Sequence, residues 1–432
     1  MFFRRHLESS LAGAVSRNKV RLLLEARQTG KTALLRHLLT PAPAHVVNLQ
    51  DSTIRRRLEA DPGAFGREIR GLPRTVRTVL VDEIQKVPAL LDEVQALYDA
   101  APTRWQFYLT GSSARRLHTH SANLLPGRSH LYRLYPVCSW ESADPPSREI
   151  ESPPPRSTAA PAAAPPFPTF ALRRTLLQGS LPGVRAEPSG SARATLDAYV
   201  EHYLEEEIRR EALVRDMGPF VAFVRLAAAE SGRQVNLTRL SQESGVPAST
   251  LKTFYQVLVD TFAGYWMPAY ARRTRKRLLT TPRFYYFDLG VRNAAAELPL
   301  DARLADEHAG PLLEHWVALE LIARAGYLGR GYRVSFWRTA YGVEVDFVWE
   351  TPREDLPIEV KWTAHPRPSD ARHLETFLDE FPGRARRGLL VCRCPQPQQL
   401  TERVQQLETL VRELTEKASH QASAATTALP SD

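Results

Sequence analysis

Cysteine is scarce in this chain. Cys138, Cys392 and Cys394 are all that its 432 residues contain, and no C-x-x-C pair occurs among them. That count and spacing exclude a disulfide framework and a zinc knuckle. Nor does any stretch approach the roughly 18 uninterrupted apolar residues of a membrane span. The N-terminal Met1-Phe2-Phe3-Arg4-Arg5-His6 lacks the apolar core of a signal peptide. A reducing cytoplasm is the expected location, with no membrane partner. No internal repeat is visible, which excludes a solenoid or propeller.

Acidic excess is absent too. Lys and Arg total 57 against 48 Asp and Glu, a net charge of +9, which leans towards phosphate-bearing partners. With 43% hydrophobic and 24% charged residues, the chain has ample material for a buried core and is not of disordered composition. At ~150 residues per domain, about three domains are expected.

What is present begins at residues 19 to 32. The apolar run Val20, Leu22, Leu23, Leu24 reads as a buried strand. A small loop then ends in Gly30-Lys31-Thr32, and Leu34, Leu35, Leu38 and Leu39 follow with helical spacing. Strand, Gly-Lys-Thr loop and helix is the layout of a phosphate-binding loop, in which backbone N–H groups wrap the phosphates at a helix N-terminus. Lys31 is placed for the β and γ oxygens and Thr32 for Mg²⁺. The first glycine of G-x-x-x-x-G-K-[ST] is missing, and Glu25 stands there. A left-handed backbone at that position would cost a side chain about 1–2 kcal/mol. A carboxylate near phosphates would also repel them, so Glu25→Gly is expected to raise affinity. Alternatively, Glu25 ends the strand facing solvent and does little harm.

Further strands are expected at Ala44–Leu49, Thr78–Val81, Trp105–Leu109 and Leu131–Tyr135, with a helix at Pro88–Asp99. This alternation is that of an α/β domain with a mainly parallel sheet, over residues 1–140. Asp82-Glu83 ends a strand beside the loop: Asp82 is suited to share Mg²⁺, and Glu83 to orient or deprotonate water. Thr110, in Thr110-Gly111-Ser112-Ser113, is a candidate γ-phosphate contact or an ordinary turn residue. Arg128 is a candidate arginine finger acting on a neighbouring copy through the ATPase domain, or simply a solvated Arg.

Residues 141–169, rich in Pro, Ala and Ser, read as a linker. Residues 170–295 turn largely helical, with Ala194–Val214 and Phe220–Ser231 as helices. Asn236 to Val259 reads as helix, turn at Gly245-Val246-Pro247, and a second helix capped by Ser249. Ser249, Thr250, Lys252 and Thr253 open that second helix. Arg272, Arg273, Arg275, Lys276 and Arg277 follow where a wing would fall. DNA contact by these residues and a packing module are both open readings. Residues 296–395 read as helix Pro311–Ala325, strands Arg333–Trp337, Glu344–Glu350 and Leu356–Trp362, helix Asp370–Glu380 and strand Gly388–Cys392. The tail, 396–432, is expected to start as a helix on Leu400, Val404, Leu407, Val411 and Leu414 and to end disordered.

Arg27-Gln28-Thr29-Gly30-Lys31-Thr32, Val81-Asp82-Glu83-Ile84-Gln85-Lys86-Val87-Pro88, Leu109-Thr110-Gly111-Ser112-Ser113 and Asn123-Leu124-Leu125-Pro126-Gly127-Arg128 resemble the prokaryotic AAA-type ATPases of the archaeal-ATPase kind. Gly179-Ser180-Leu181-Pro182, Tyr286-Phe287-Asp288-Leu289-Gly290 and Gly342-Val343-Glu344-Val345-Asp346-Phe347 are similar to the domain of unknown function that follows the ATPase in that family. The resemblance implies ATP and Mg²⁺ as ligands, with Arg27, Gln28 and Thr29 completing the nucleotide loop. It departs at Glu25-Ala26, where the family has Gly-Pro.

In the last domain, strand alternation puts Glu344 and Asp346 on one face, and Glu359 shares a face with Lys361. Asp…Glu-x-Lys on neighbouring strands is the arrangement of PD-(D/E)xK nucleases, to which the family's C-terminal domain is similar. That similarity implies Mg²⁺ on Asp346 and Glu359, a Lys361 that activates water or steadies the scissile phosphate, and a helix acid at Glu314. The bland reading is polar faces of half-buried strands.

The expected architecture is therefore multidomain α/β: a P-loop NTPase parallel sheet, a helical winged-helix-like middle and a small restriction-endonuclease-like C-terminal domain. The expected function is Mg²⁺-dependent ATP binding with slow hydrolysis, coupled to a DNA-binding or nuclease-like region. Two alternatives stand beside it: a Mg²⁺-dependent DNA nuclease with a regulatory nucleotide domain, and a non-catalytic nucleotide-binding or interaction protein with a degenerate loop.

Overall fold

The computed structural model describes residues 2–13, 19–40, 43–112, 125, 127–141, 169–188, 190–204, 217–271, 281–394 and 398–407. The chain divides into two compact units. The first comprises Met1–Val137, Gln178–Trp266 and Phe284–Leu300, and the second Cys138–Leu177, Met267–Arg283 and Asp301–Asp432. Most of the middle stretch, 170–295, thus shares a unit with the Gly30-Lys31-Thr32 loop.

The first unit is built on five strands: β1 (Val20–Leu24), β2 (Ala44–Asn48), β3 (Thr78–Asp82), β4 (Gln106–Gly111) and β5 (Ser129–Arg133). They pair in parallel in the order β2-β3-β4-β1-β5. Every residue of β1 and β3 is buried. Continuous apolar runs of this kind are what a sheet covered on both faces requires. β4 lies between β1 and β3, so the Asp82 strand is not directly beside the loop strand as the sequence suggested. Because the strands are parallel, their C-terminal ends share one edge: Leu24 pairs with Gly111 and Arg133, and Asn48 with Asp82.

Beyond the sheet, the helix expected over Ala194–Val214 is α-helical at Ala192–Ala198 and π-helical at Tyr199–Leu204, and the rest of it lies outside the described residues. A π turn re-aims side chains. Here the Tyr199 ring lies 5.9 Å from Phe287 and its hydroxyl donates to the Arg27 carbonyl at 3.3 Å. The helix–turn–helix is formed by Leu237–Ser244 and Ala248–Asp260, with Gly245 left-handed at φ 71° between them. Asn236 caps the first helix by accepting from the Arg239 amide. The second starts after Pro247 with no side-chain cap, so Ser249 is not the cap. Lys252, Ser249 and Thr253 are exposed. β6 (Gly264–Met267) and β7 (Arg283–Tyr286) form a two-stranded sheet. The basic run Arg272, Arg273, Arg275, Lys276 and Arg277 falls between them in sequence and outside the described residues.

The second unit carries β8 (Arg333–Arg338), β9 (Glu344–Glu350), β10 (Asp355–Val360), β11 (Gly388–Val391), β12 (Gln398–Gln399) and β13 (Val404–Leu407), in the order β12-β13-β11-β10-β9-β8. β8, β9 and β10 run antiparallel, while β11 joins β10 in parallel. Val404–Leu407 is a strand, not the expected start of a tail helix. It pairs with Gly388–Val391, and strand pairing outweighs a weak helical spacing. The helix Arg372–Glu380 buries Leu374, Phe377 and Leu378 against Trp337, Val345 and Leu390.

Candidate nucleotide site

The phosphate-loop residues gather at the C-terminal edge of the five-stranded sheet, where parallel α/β sheets place their ligands. Lys31 is the first residue of the helix Lys31–Leu39, and Gly30 precedes it at φ 95°. That conformation is left-handed, and glycine adopts it without a Cβ penalty. A second left-handed residue is Gln28, at φ 61°, whereas Glu25 is not among the left-handed residues. The strain expected at Glu25 therefore falls at Gln28.

Lys31 is buried, and its ammonium donates to the Glu25 and Ala26 carbonyls at 2.8 and 2.7 Å. The Arg5 guanidinium holds the outside of the loop by donating to the Thr29 carbonyl at 2.7 Å. The Thr29 hydroxyl donates to the Ala26 carbonyl at 3.1 Å.

Across the sheet, the Thr32 hydroxyl donates to Asp82 Oδ1 and Oδ2 at 3.1 and 3.0 Å. Thr110, on the intervening strand, also donates its hydroxyl to Asp82, and its oxygen accepts from the Glu83 amide at 3.0 Å. The half-buried Thr32 hydroxyl and the buried Asp82 carboxylate, converging beside a helix N-terminus, are oxygen donors of the kind Mg²⁺ takes. The residues present fit that ion. Among the described residues, no group of three or more His, Cys, Asp or Glu side chains is assembled for a metal. A Mg²⁺ ion here would draw its remaining ligands from phosphate and water.

Glu83 is buried and left-handed, at φ 64°. Its Oε2 accepts from Gln85 Nε2 at 2.5 Å and from the Ser112 hydroxyl at 3.2 Å. Gln85 also donates to the Ser112 oxygen at 2.8 Å. Sequence reasoning named Glu83 but missed Gln85 and Ser112. Their signal was their position just past two strand ends on one sheet edge.

Glu25 does not face solvent. Its side chain is fully buried. Oε1 accepts from the Tyr265 hydroxyl at 3.1 Å, and Oε2 from Arg133 Nε at 3.2 Å. Burial pushes the Glu25 carboxyl up from its ordinary range, against the pull of Arg133, Lys31 and the Tyr265 hydroxyl. Burial, and then Glu25 itself, holds the Tyr265 hydroxyl well above its ordinary range, so it remains a donor.

Arg128 is engaged within its own chain, donating through Nε to Asp99 Oδ1 at 2.6 Å.

Residues 17–143 match the family model of an AAA domain. The match spans β1 to β5 and every loop residue named above. Together with the parallel sheet it supports a P-loop ATPase domain in this part of the chain. Residues 169–302 match a Domain of unknown function (DUF8612), and residues 309–410 a Domain of unknown function (DUF4143). Two uncharacterized proteins, one from Mycobacterium bovis and one from Mycobacterium tuberculosis, are each 24% identical over 376 residues, 87% of this chain and 77% of their own. A Walker-type ATPase of Pyrococcus abyssi aligns with a TM-score of 0.45 and 17% identity, over 68% of this chain and 96% of that one. Among the described residues, no helix is long and apolar enough to cross a membrane.

In the second unit, Asp346 on β9 accepts from the Val360 amide at 2.8 Å, and Lys361 donates to Glu359 Oε1 at 2.7 Å. Burial, and next the charge of Asp346, pushes Glu359 up to about 7. Burial also raises Asp346, against the Val360 amide, Arg283 and Lys361. These three residues therefore converge. Glu314 is instead paired with Arg283 at 3.0 Å, and the same guanidinium pairs with Glu344.

Proposed function

We propose that the protein binds ATP with Mg²⁺ and hydrolyses it slowly. The observation that carries this reading is the meeting of Thr32 and Asp82, because the two supply a metal's oxygen ligands beside the helix that opens with Lys31. Lys31 leaves its two carbonyls to meet the β and γ oxygens. The backbone N–H groups of Arg27, Gln28, Thr29 and Gly30 line the phosphates, with the helix N-terminus behind them. Mg²⁺, when bound, neutralises charge on the phosphates. Thr32 and Asp82 would hold the ion, and Thr110 fixes the Asp82 carboxylate. Glu83 orients the attacking water and accepts its proton. Phosphate release by the wild type beside Glu83→Gln tests the assignment. The variant is expected to keep ATP binding and lose turnover by about a hundredfold, the scale of general-base catalysis. Equal turnover would remove Glu83 from the reaction.

A second reading concerns the last domain. Asp346, Glu359 and Lys361 converge on neighbouring strands, with both acids raised by burial. This grouping supports reading them as the site of a Mg²⁺-dependent phosphodiesterase of the PD-(D/E)xK kind, acting on DNA. Plasmid nicking that needs Mg²⁺ and vanishes in both Asp346→Ala and Lys361→Ala would support it. Nicking unchanged in either variant would sink it.

A further inference from the structure

Glu25 is engaged at both ends. Its main-chain carbonyl, with that of Ala26, accepts the Lys31 ammonium. Its side chain is gripped by Tyr265 at 3.1 Å and Arg133 at 3.2 Å. The carboxyl group is fully buried, so water cannot replace a donor that is removed. Arg133, itself half-buried, lies against aromatic faces. Its guanidinium carbon lies 4.9 Å from the Phe262 ring centre and 5.4 Å from those of Tyr135 and Tyr265. Tyr265 is on β6, 240 residues from Glu25 in sequence.

We propose that Tyr265 and Arg133 are positioning residues of the phosphate site, acting through the Glu25 carboxyl group to anchor the start of the loop. The inference rests on the nucleotide reading of that loop. Lys31 has to abandon the Glu25 and Ala26 carbonyls to reach a phosphate. The loop then loses two of the bonds that shape it. What still fixes its first residue, beside the bond from the Glu25 amide to the Gly111 carbonyl at 3.3 Å, is the side-chain grip on Glu25, whose two donors are Tyr265 and Arg133 and not Lys31. Where glycine would give the loop freedom, glutamate gives it an attachment to two other strands, β5 and β6. The anchor governs affinity more than chemistry, because Asp82 and Glu83 are carried by the end of β3.

The test is ATP affinity of the full chain with Mg²⁺, read by titration of a fluorescent ATP analogue, together with kcat and KM. The variants are Tyr265→Phe, Glu25→Gly and their double. Tyr265→Phe is expected to weaken binding about three- to tenfold, the scale of one buried hydrogen bond. Glu25→Gly should weaken it at least as much. In the Glu25→Gly background, Tyr265→Phe should add less than about twofold, since residues that act through one another are not additive. KM should follow affinity, with kcat held within about twofold. If Glu25→Gly does not fold, judged by circular dichroism, Glu25→Gln replaces it in the cycle. The anchor is overturned if Tyr265→Phe binds ATP as the wild type does, if the two effects multiply, or if Glu25→Gly binds more tightly. A wild type that binds no ATP removes the nucleotide reading and the anchor with it. A wild type that binds, with an unaffected Tyr265→Phe, removes the anchor alone.

Discussion

The Thr32 hydroxyl donates to both carboxylate oxygens of Asp82, at 3.1 Å to Oδ1 and 3.0 Å to Oδ2. The two residues are 50 apart in sequence. They meet because β4 sets the spacing between β1 and β3, and because Thr110 on β4 ties the carboxylate from the other side.

If this pair shares a Mg²⁺ ion, its value appears only when the ion is present. Thr32→Val and Asp82→Asn should weaken ATP binding about tenfold or more in Mg²⁺, the range expected for a lost ligand or a buried group left unpaired. In EDTA the same variants should differ from the wild type by less than about twofold, a difference of a few tenths of a kcal/mol. Calorimetric titration in both buffers checks this. Equal losses with and without Mg²⁺ would assign the pair to structure.

Glu83 Oε2 already accepts from Gln85 and Ser112. Both donors occupy the oxygen that would have to take the proton of the attacking water. Gln85→Ala should therefore raise kcat by about two- to fivefold, a small share of what a general base supplies, and leave ATP affinity unchanged. Steady-state hydrolysis decides it, and a fall in kcat would mean that Gln85 aims Glu83 productively.

Gly179 is left-handed, at φ 74°, and a Cβ there would lie 2.1 Å from Asp288 Oδ1. Asp288 accepts from the Ser180 amide at 2.6 Å and the Val291 amide at 3.1 Å, so it has nowhere to go. Gly179→Ala should cost more than about 2 kcal/mol, combining overlap with a disallowed conformation. Chemical denaturation measures it. A loss under about 0.5 kcal/mol would contradict the fit.

Asp288 also gives a pH dependence. Burial pushes its carboxyl up to about 6, against the Ser180, Val291 and Gly290 amides and Arg185. A folded value above the ordinary one means that the native state takes up this proton first as pH falls. Its contribution to stability therefore declines as pH rises from about 4 to about 6 and is constant above that. Carboxyl-carbon NMR titration of the native protein should place Asp288 near 6. An ordinary value would contradict its burial.

How much of this the sequence disclosed follows from the range of each interaction. The strands announced themselves, since buried parallel strands are continuous apolar runs, and the sheet edge then placed Lys31, Thr32, Asp82, Glu83 and Thr110 together. Val404–Leu407 misled because the heptad-like spacing of Leu400, Val404, Leu407, Val411 and Leu414 cannot reveal that four consecutive residues within it pair with Gly388–Val391. Glu25 misled more instructively. A missing glycine looked like damage, and nothing local shows that Arg133 lies 108 residues away and Tyr265 240 residues away on the same carboxyl group. The acid pair Asp346 and Glu359 was legible from strand alternation, whereas the salt bridge from Arg283 to Glu314 joins β7 to the helix Ala309–Leu328 and left no mark in either segment.

The central claim is that the loop ending in Lys31 is a nucleotide site. Calorimetric titration of Mg²⁺-ATP into the wild type and into Lys31→Ala tests it most directly. The wild type is expected to bind one ATP per chain, and Lys31→Ala to bind at least about a hundredfold more weakly, as loss of a charge-assisted contact to phosphate implies. Identical isotherms for the two proteins, or no binding by a folded wild type, would contradict the account.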